Sequence, residues 1–170
     1  NMWVVEYGDD IIVLDCGVMF PEAEMLGVDL VLPDIGYLKE NMSRVRAIVL
    51  THGHEDHVGG LPYVLPELDF PPVYGTPLTI GMVTHKLKEH RMLDQTKLHK
   101  FVAGDVLPIG VFRIETFHLA HSIPDTVGLA INSPVGMAVY LTDWKFDHTP
   151  VDKRPTDIAA ITALSQRNPL

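Results

Sequence analysis

The run from Ala47 to Gly60, AIVLTHGHEDHVGG, constrains this chain more than any other. Ala47-Ile48-Val49-Leu50 is apolar throughout and reads as a buried strand. It gives way at once to His52-Gly53-His54-Glu55-Asp56-His57, and the run closes on Gly59-Gly60. A strand of this kind delivers its polar loop to the rim of a sheet. Imidazoles and carboxylates packed this densely are costly to bury without partners. For a single histidine, a solvated loop would be the simpler account. For the whole cluster, divalent cations are the better one, and imidazole with carboxylate suits zinc, manganese or iron. The H-x-H-x-D-H spacing differs from the helical H-E-x-x-H of metalloproteases. Gly53 is expected to permit a tight turn, so that His52 and His54 converge on one ion. Asp56 and His57 would then lie on the far side of the turn and serve a second.

The chain has 170 residues, 46% of them apolar and 21% charged, enough for one domain with a real core. Its formal net charge of −9 argues against a broad basic surface for nucleic acid within these residues. A polyanion would have to be held by metal ions and by basic surfaces elsewhere. The single cysteine, Cys16, excludes an internal disulfide and fits a reducing, cytoplasmic setting. It follows an apolar run and is expected to be a buried, inert thiol. No apolar run approaches a membrane span, and no signal peptide is visible. The chain opens at Asn1 directly in strand-like sequence and ends without a clear stop, as expected for a piece of a larger protein.

In chain order, Trp3 to Tyr7 and Ile11 to Asp15 predict a hairpin around Gly8-Asp9-Asp10. Gly17 to Gly36 predicts a long, functional loop. Tyr37 to Ser43 predicts a short helix, and Arg46 to Thr51 the strand that carries the histidine loop. Gly60 to Leu68 has helical spacing with Pro62 in the first turn. Thr76-Pro77 opens a helix expected to reach about Leu93. Its basic end (His85, Lys86, Lys88, His90, Arg91) reads as a solvated face completing the helix dipole rather than a phosphate site. Lys97 to Val102, Val106-Leu107 and Val111 to His118 predict strands, with Pro108-Ile109-Gly110 as a turn. Thr126 to Asn132 and Met137 to Thr142 predict a second hairpin, and Ile158 to Leu164 a helix. Strands in two batches with helices between them point to sheets covered by helices, an α/β fold of the α+β type.

A binuclear site needs more ligands than one loop supplies. His121, in HLAHSIPD, and Asp143, in YLTDWKFD, both follow predicted strands and reach the same rim. Asp143 offers two oxygens and can bridge two ions. His118 lies nearer its strand, and packing or a hydrogen bond that supports a ligand is expected of it.

Thr51-His52-Gly53-His54-Glu55-Asp56-His57 resembles the signature loop of the metallo-β-lactamase superfamily, and Asp15 in LDCG resembles the acidic strand-end residue that supports it. LDCGVMFPEAEMLGVDLVLPDIGYL, THGHEDHVGGLPYVL, HSIPDTVGLAI and TDWKFDHTPVD, in this order, are similar to the bacterial ribonuclease J family of the β-CASP nuclease group. The resemblance implies a metallo-β-lactamase-like αββα sandwich, incomplete in residues 1–170. It implies two divalent ions, zinc with manganese as the alternative, at one edge of the paired sheets. His52, His54 and His121 would hold one ion, Asp56 and His57 the other, and Asp143 would bridge them. Asp15 and His118 would support, and Asp56 and Asp143 would take part in catalysis. The implied activity is 5′-to-3′ exonuclease and endonuclease action on RNA in RNA processing and decay, by a cytoplasmic protein that is homo-oligomeric at full length and has no membrane partner. The source of the leaving-group proton stays open between Asp56, a water in the site and a histidine outside these residues.

The family usually carries Thr-Gly-Asp at the bridging aspartate, where this chain has Leu141-Thr142-Asp143. A first strand is expected before Asn1, and the β-CASP domain, the C-terminal domain and a last histidine ligand after Leu170. The rivals are a thioester or lactam hydrolase on the same fold and a non-catalytic nucleic-acid-binding module.

Overall fold

The stretch Ile11-Ile12-Val13-Leu14 is apolar at every position, so a strand built from it has two faces to bury. The computed structural model, which describes residues 1–150 and 152–167, buries both. Strands β1 (Trp3–Tyr7), β2 (Asp10–Leu14), β3 (Val45–Val49), β4 (Val73–Gly75) and β5 (Leu98–Lys100) form one sheet in that order. β1 and β2 are an antiparallel hairpin, and the later pairings are parallel. Strands β6 (Val106–Ile109), β7 (Phe112–His118), β8 (Val127–Ser133) and β9 (Gly136–Tyr140) form a second, antiparallel sheet.

Side chains alternate across a strand, and that alternation sorts the core into layers. Ile12 and Leu14 of β2, with Ala47 and Val49 of β3, face the second sheet and meet Phe112, Ile114, Val127, Leu129 and Ile131. Their neighbours Ile11, Val13, Ile48 and Leu50 face the other way. There they pack under α3 (Leu61–Val64) and α4 (Pro77–Glu89), against Leu61, Val64, Val83 and Leu87. On the outer face of the second sheet, Phe117, Leu119, Ala130 and Met137 receive Leu164 of α5 (Ile158–Ser165). The order is helices, sheet, sheet, helix: the αββα sandwich. A two-pronged pair from Arg167 to Glu115, at 2.7 and 2.8 Å, ties the end of α5 to β7 and, with Arg113, holds the Glu115 carboxyl down at about 2.

Element boundaries differ from expectation in several places, and four of them have a physical reason or bear on the site. The helix expected over Tyr37–Ser43 is α1 (Gly36–Glu40) followed by a 3-10 turn, Met42–Arg44. The helix after Thr76 stops at Glu89 rather than near Leu93. Arg91 takes a left-handed φ of 58°, and Met92 N–H donates to the Leu87 carbonyl while Arg91 N–H donates to that of Lys88. This is a Schellman end with arginine where glycine is usual, so the sequence carried no stop signal. β6 runs through Pro108 to Ile109 instead of turning there; it is the sheet's edge strand, where a missing N–H is tolerated. Finally, Glu55–Val58 is a single helical turn, α2, rather than a plain loop.

Two glycines separate close approach from mere exposure. A Cβ on Gly17 would lie 1.6 Å from the Asp56 carbonyl oxygen and 2.7 Å from the His57 nitrogen, and backbone cannot step aside. A Cβ on Gly81, on the exposed side of α4, would meet nothing within 4 Å. Gly17→Ala is therefore expected to destabilise by roughly 3 kcal/mol or more through overpacking, and Gly81→Ala to stabilise by roughly 0.5–1 kcal/mol through helix propensity. Urea midpoints of the two variants, measured side by side, check the opposite signs.

Candidate metal centre

Three strand ends meet at one edge of the sandwich. β3 ends at Val49 and leads through Thr51 into His52 and His54; β7 ends at His118 and leads to His121; β9 ends at Tyr140 and leads to Asp143. Two groups of ligand atoms result, His52 with His54 and His121, and His52 with His57 and Asp143, each gathered within 4.8 Å. His52 is fully buried and His57 almost so, whereas Asp143 is half exposed.

Burying imidazoles side by side has a cost, and the surroundings fix how it is met. Asp15, fully buried at the end of β2, is the hub. Its carboxylate accepts from Thr51 N–H at 2.8 Å, from Thr51 Oγ1 at 2.9–3.0 Å and from Tyr140 Oη at 3.2 Å. It also lies 2.8 Å from His57 Nδ1. As a carboxylate it can only accept, so His57 donates from Nδ1 and keeps the Nε2 lone pair for the site. The same logic reaches His52. The Thr51 hydroxyl has one proton, and Asp15 is the strongest acceptor in reach. His52 Nδ1, 3.0 Å from Thr51 Oγ1, is then the donor in that contact, and its Nε2 faces the cluster. Burial, followed by the charges of His57, His121 and His54, holds the His52 imidazole down at about 2. His121 is lowered as well, by burial first and then by His54, with Asp143 opposing. Neutral imidazole is the form that binds a cation.

The first group fits a metal. His54 Nδ1 lies 3.0 Å from His52 Nε2 and 3.2 Å from His121 Nε2. His54 Nδ1 offers either one proton or one lone pair, so at least one of these two contacts lacks a hydrogen bond of its own, and a cation among the three nitrogens relieves that. With metal–nitrogen bonds of about 2.0–2.1 Å, a tetrahedral ion spaces its ligand nitrogens ~3.3 Å apart, close to what is seen. His54 Nε2 is turned outward, 3.5 Å from Ser122 Oγ. His52 occurs in both groups but has a single free nitrogen, so it can serve one ion only. Beside His57, Asp56 Oδ2 lies 3.4 Å from Nε2, and the Asp56 side chain is half exposed. Asp143 Oδ2, a member of the second group, also approaches the first: it lies 3.7 Å from His57 Nε2 and 3.8 Å from His121 Nε2.

Every residue singled out in the sequence is placed. His52, His54, His57, His121 and Asp143 come together, Asp56 flanks them, and Asp15 lies beneath. His118 is outside both groups; its buried ring sets Nε2 2.9 Å from the Arg154 carbonyl. Gly53 has no left-handed φ, so it is not needed for a tight turn. Its missing side chain leaves room for Met82, whose sulfur would sit 2.6 Å from a Cβ there. Sequence reading missed two contributors, Tyr140 and Asn1, and the contact that Thr142 makes. Tyr140 binds the hub from the end of β9, and Thr142, two residues further on, contacts Thr51 beside it, Oγ1 to Oγ1 at 3.0 Å. The Asn1 side-chain amide lies 2.9 Å from Asp56 Oδ2 and 3.0 Å from His57 Nε2. For Tyr140 the only local signal was its place two residues before Thr142 on an alternating strand; Asn1 had none.

Asp15→Ala would strand buried donors on Thr51 and His57. We expect a loss of roughly 3 kcal/mol or more, from unsatisfied groups costing about 1–3 kcal/mol each, and a fall in metal affinity of about 10–100-fold because the imidazoles lose their orientation. Chemical denaturation and elemental analysis of the variant check the two effects separately.

The sequence profile of the metallo-beta-lactamase superfamily matches residues 1–149. The chain is 38% identical over its whole length to ribonuclease J 1 of Streptococcus pyogenes serotype M3, covering 30% of that protein. It is 42% identical over 98% of its length to ribonuclease J of Helicobacter pylori strain 26695, covering 24% of it. It is 42% identical over 96% of its length to ribonuclease J2 of Bacillus subtilis, covering 29% of it. The chain thus spans under a third of each of these relatives. Among solved structures, the metallo-β-lactamase fold protein YhfI of Bacillus subtilis superposes with a TM-score of 0.61 at 22% identity, over 87% of this chain and 57% of that one. The short form of human tRNase Z superposes with a TM-score of 0.57 at 15% identity, over 99% and 76%. Fold and sequence profile agree: this chain belongs to the metallo-β-lactamase superfamily.

Proposed function

We propose that residues 1–170 are the metal-binding portion of a ribonuclease of the J type, a hydrolase that cleaves RNA phosphodiesters from the 5′ end and internally. The observation that carries this reading is the convergence of His52, His54 and His121, with Asp143 beside them, in a chain alike to ribonuclease J proteins along nearly its whole length. In this reading His52, His54 and His121 would hold one divalent ion, zinc or manganese, Asp56 and His57 would hold the other, and Asp143 would be shared between them. The single free nitrogen of His52 supports that division. When bound, two such ions supply Lewis-acid charge to a phosphodiester and lower the pKa of water.

The chain's own groups prepare for this. Asp15 and Thr51 hold His57 and His52 in the tautomers that leave Nε2 free. Asp143 and Asp56 are half exposed and give the site an open face toward substrate. Cations at the edge also let a chain of net charge −9 approach a polyanion. The β-CASP and C-terminal domains lie outside these residues and supply the remaining ligand and most RNA contacts. In this reading, which rests on the likeness to ribonuclease J proteins, the full protein acts in the cytoplasm as a homo-oligomer.

Asp143→Asn keeps the shape of the side chain and removes its charge. In the full-length protein loaded with zinc or manganese, cleavage of 5′-labelled RNA is expected to fall by orders of magnitude with little change in circular dichroism. Retained RNA cleavage would remove Asp143 from the chemistry. A wild-type protein that ignores RNA but turns over a thioester or lactam would place it with other hydrolases of the fold.

A further inference from the structure

Asp143 is held in place from outside its own side chain. It follows the end of β9 by three residues, past the last sheet pairing, Leu129 with Tyr140. Its carboxylate has no hydrogen bond within reach among the described residues; the nearest ring nitrogens are 3.7 and 3.8 Å away. Its position therefore depends on what pins the backbone on either side. Downstream, Lys145 N–H donates to the Ala120 carbonyl at 2.9 Å, one residue before His121. Upstream, Thr142 is 6% exposed and its hydroxyl lies 3.0 Å from that of Thr51. Thr51 Oγ1 in turn contacts both Asp15 and His52 Nδ1. Tyr140 adds a second link from β9 to Asp15, but it sits inside the sheet, where strand pairing already fixes the chain.

We propose that Thr142 is a positioning residue: its buried hydroxyl, clasped to Thr51, sets the carboxylate of Asp143 between the two histidine groups. The inference rests on the reading of Asp143 as a bridge between two ions. The clasp joins the two sheets where the site spans them, because Thr51 leaves the first sheet and Thr142 the second. The hydroxyl pair is buried, so water does not compete for it and its loss is felt. A valine of nearly the same volume would fill the space and drop the contact, freeing Asp143 to move with its loop.

The test uses the full-length protein carrying Thr142→Val, Thr142→Ser or Thr142→Ala beside wild type. Zinc is titrated against a chromophoric chelator, and cobalt(II) is substituted to read the ligand field of both ions. In Thr142→Val we expect the weaker-bound ion to lose about 10-fold or more in affinity, in the range that supporting partners of metal ligands command. The cobalt spectrum should change, while the melting temperature of the metal-free protein stays within a few degrees. Thr142→Ser, which keeps the hydroxyl, should bind both ions within about threefold of wild type and restore the spectrum. Thr142→Ala carries the same expectation as valine should the added methyl disturb packing. Valine and alanine variants with wild-type affinities and spectra would overturn the inference while leaving the bridge intact. So would a serine variant as impaired as valine, because the hydroxyl would then not be the cause. A wild-type protein that binds fewer than two ions would remove the bridge and this inference together.

Discussion

A buried carboxylate with four partners holds this edge of the molecule together. Asp15 binds the backbone and hydroxyl of Thr51, the ring of His57 and the phenol of Tyr140, drawing in β3, α2 and β9 from the end of β2. Burying a charge without partners would cost more than a fold of this size can spare. With them, the same charge becomes a fixed origin from which ring tautomers and strand ends are set. Its backbone reflects that role. Asp15 is a non-glycine residue at a φ of 58°, a conformation that persists only where the surroundings over-determine it. Burial and the Asp15 charge and hydrogen bond also push the Tyr140 phenol up from its ordinary value, so it remains a donor.

The two sheets contribute unequally and for different reasons. The first is mostly parallel and buried on both faces, and its continuous apolar strands end in the loop that carries His52, His54, Asp56 and His57. The second is antiparallel, and its strands β7 and β9 flank β8, so their ends can bring His121 and Asp143 from opposite sides of one strand. Neither sheet alone holds both groups of ligands. The apolar layer between them, from Ile12 and Val49 to Ile114 and Leu129, is what keeps the two halves of the site in register.

Much of this was legible in the sequence because each candidate ligand stands where an apolar run stops. Period and composition were enough to locate the strands ending before Thr51, near His118 and near Thr142. Chemistry singled out the residues that follow them. What could not be read were contacts between segments far apart in the chain. Thr142 touches Thr51 across 91 residues, Tyr140 reaches Asp15 across 125, and Asn1 reaches Asp56 across 55. Two local misreadings had local causes. Pro108 signals a turn unless the strand is known to be an edge, and Arg91 gives no warning that it will close a helix in a left-handed conformation. The role of Gly53 was misjudged because the need lay in Met82, remote in sequence, rather than in its own φ.

Cys16 lies directly under the metal loop. It is fully buried, its thiol is pushed up to about 12 by desolvation, and its backbone exchanges hydrogen bonds with His57 and Gly60 at 2.7 and 2.8 Å. A thiol in that setting is silent to alkylating reagents for as long as the floor of the loop stays closed, and becomes reactive when that floor lifts. Since no other cysteine occurs in these 170 residues, the chain carries its own single-channel clock: the labelling rate at one sulfur counts the openings of the ground on which the histidines stand.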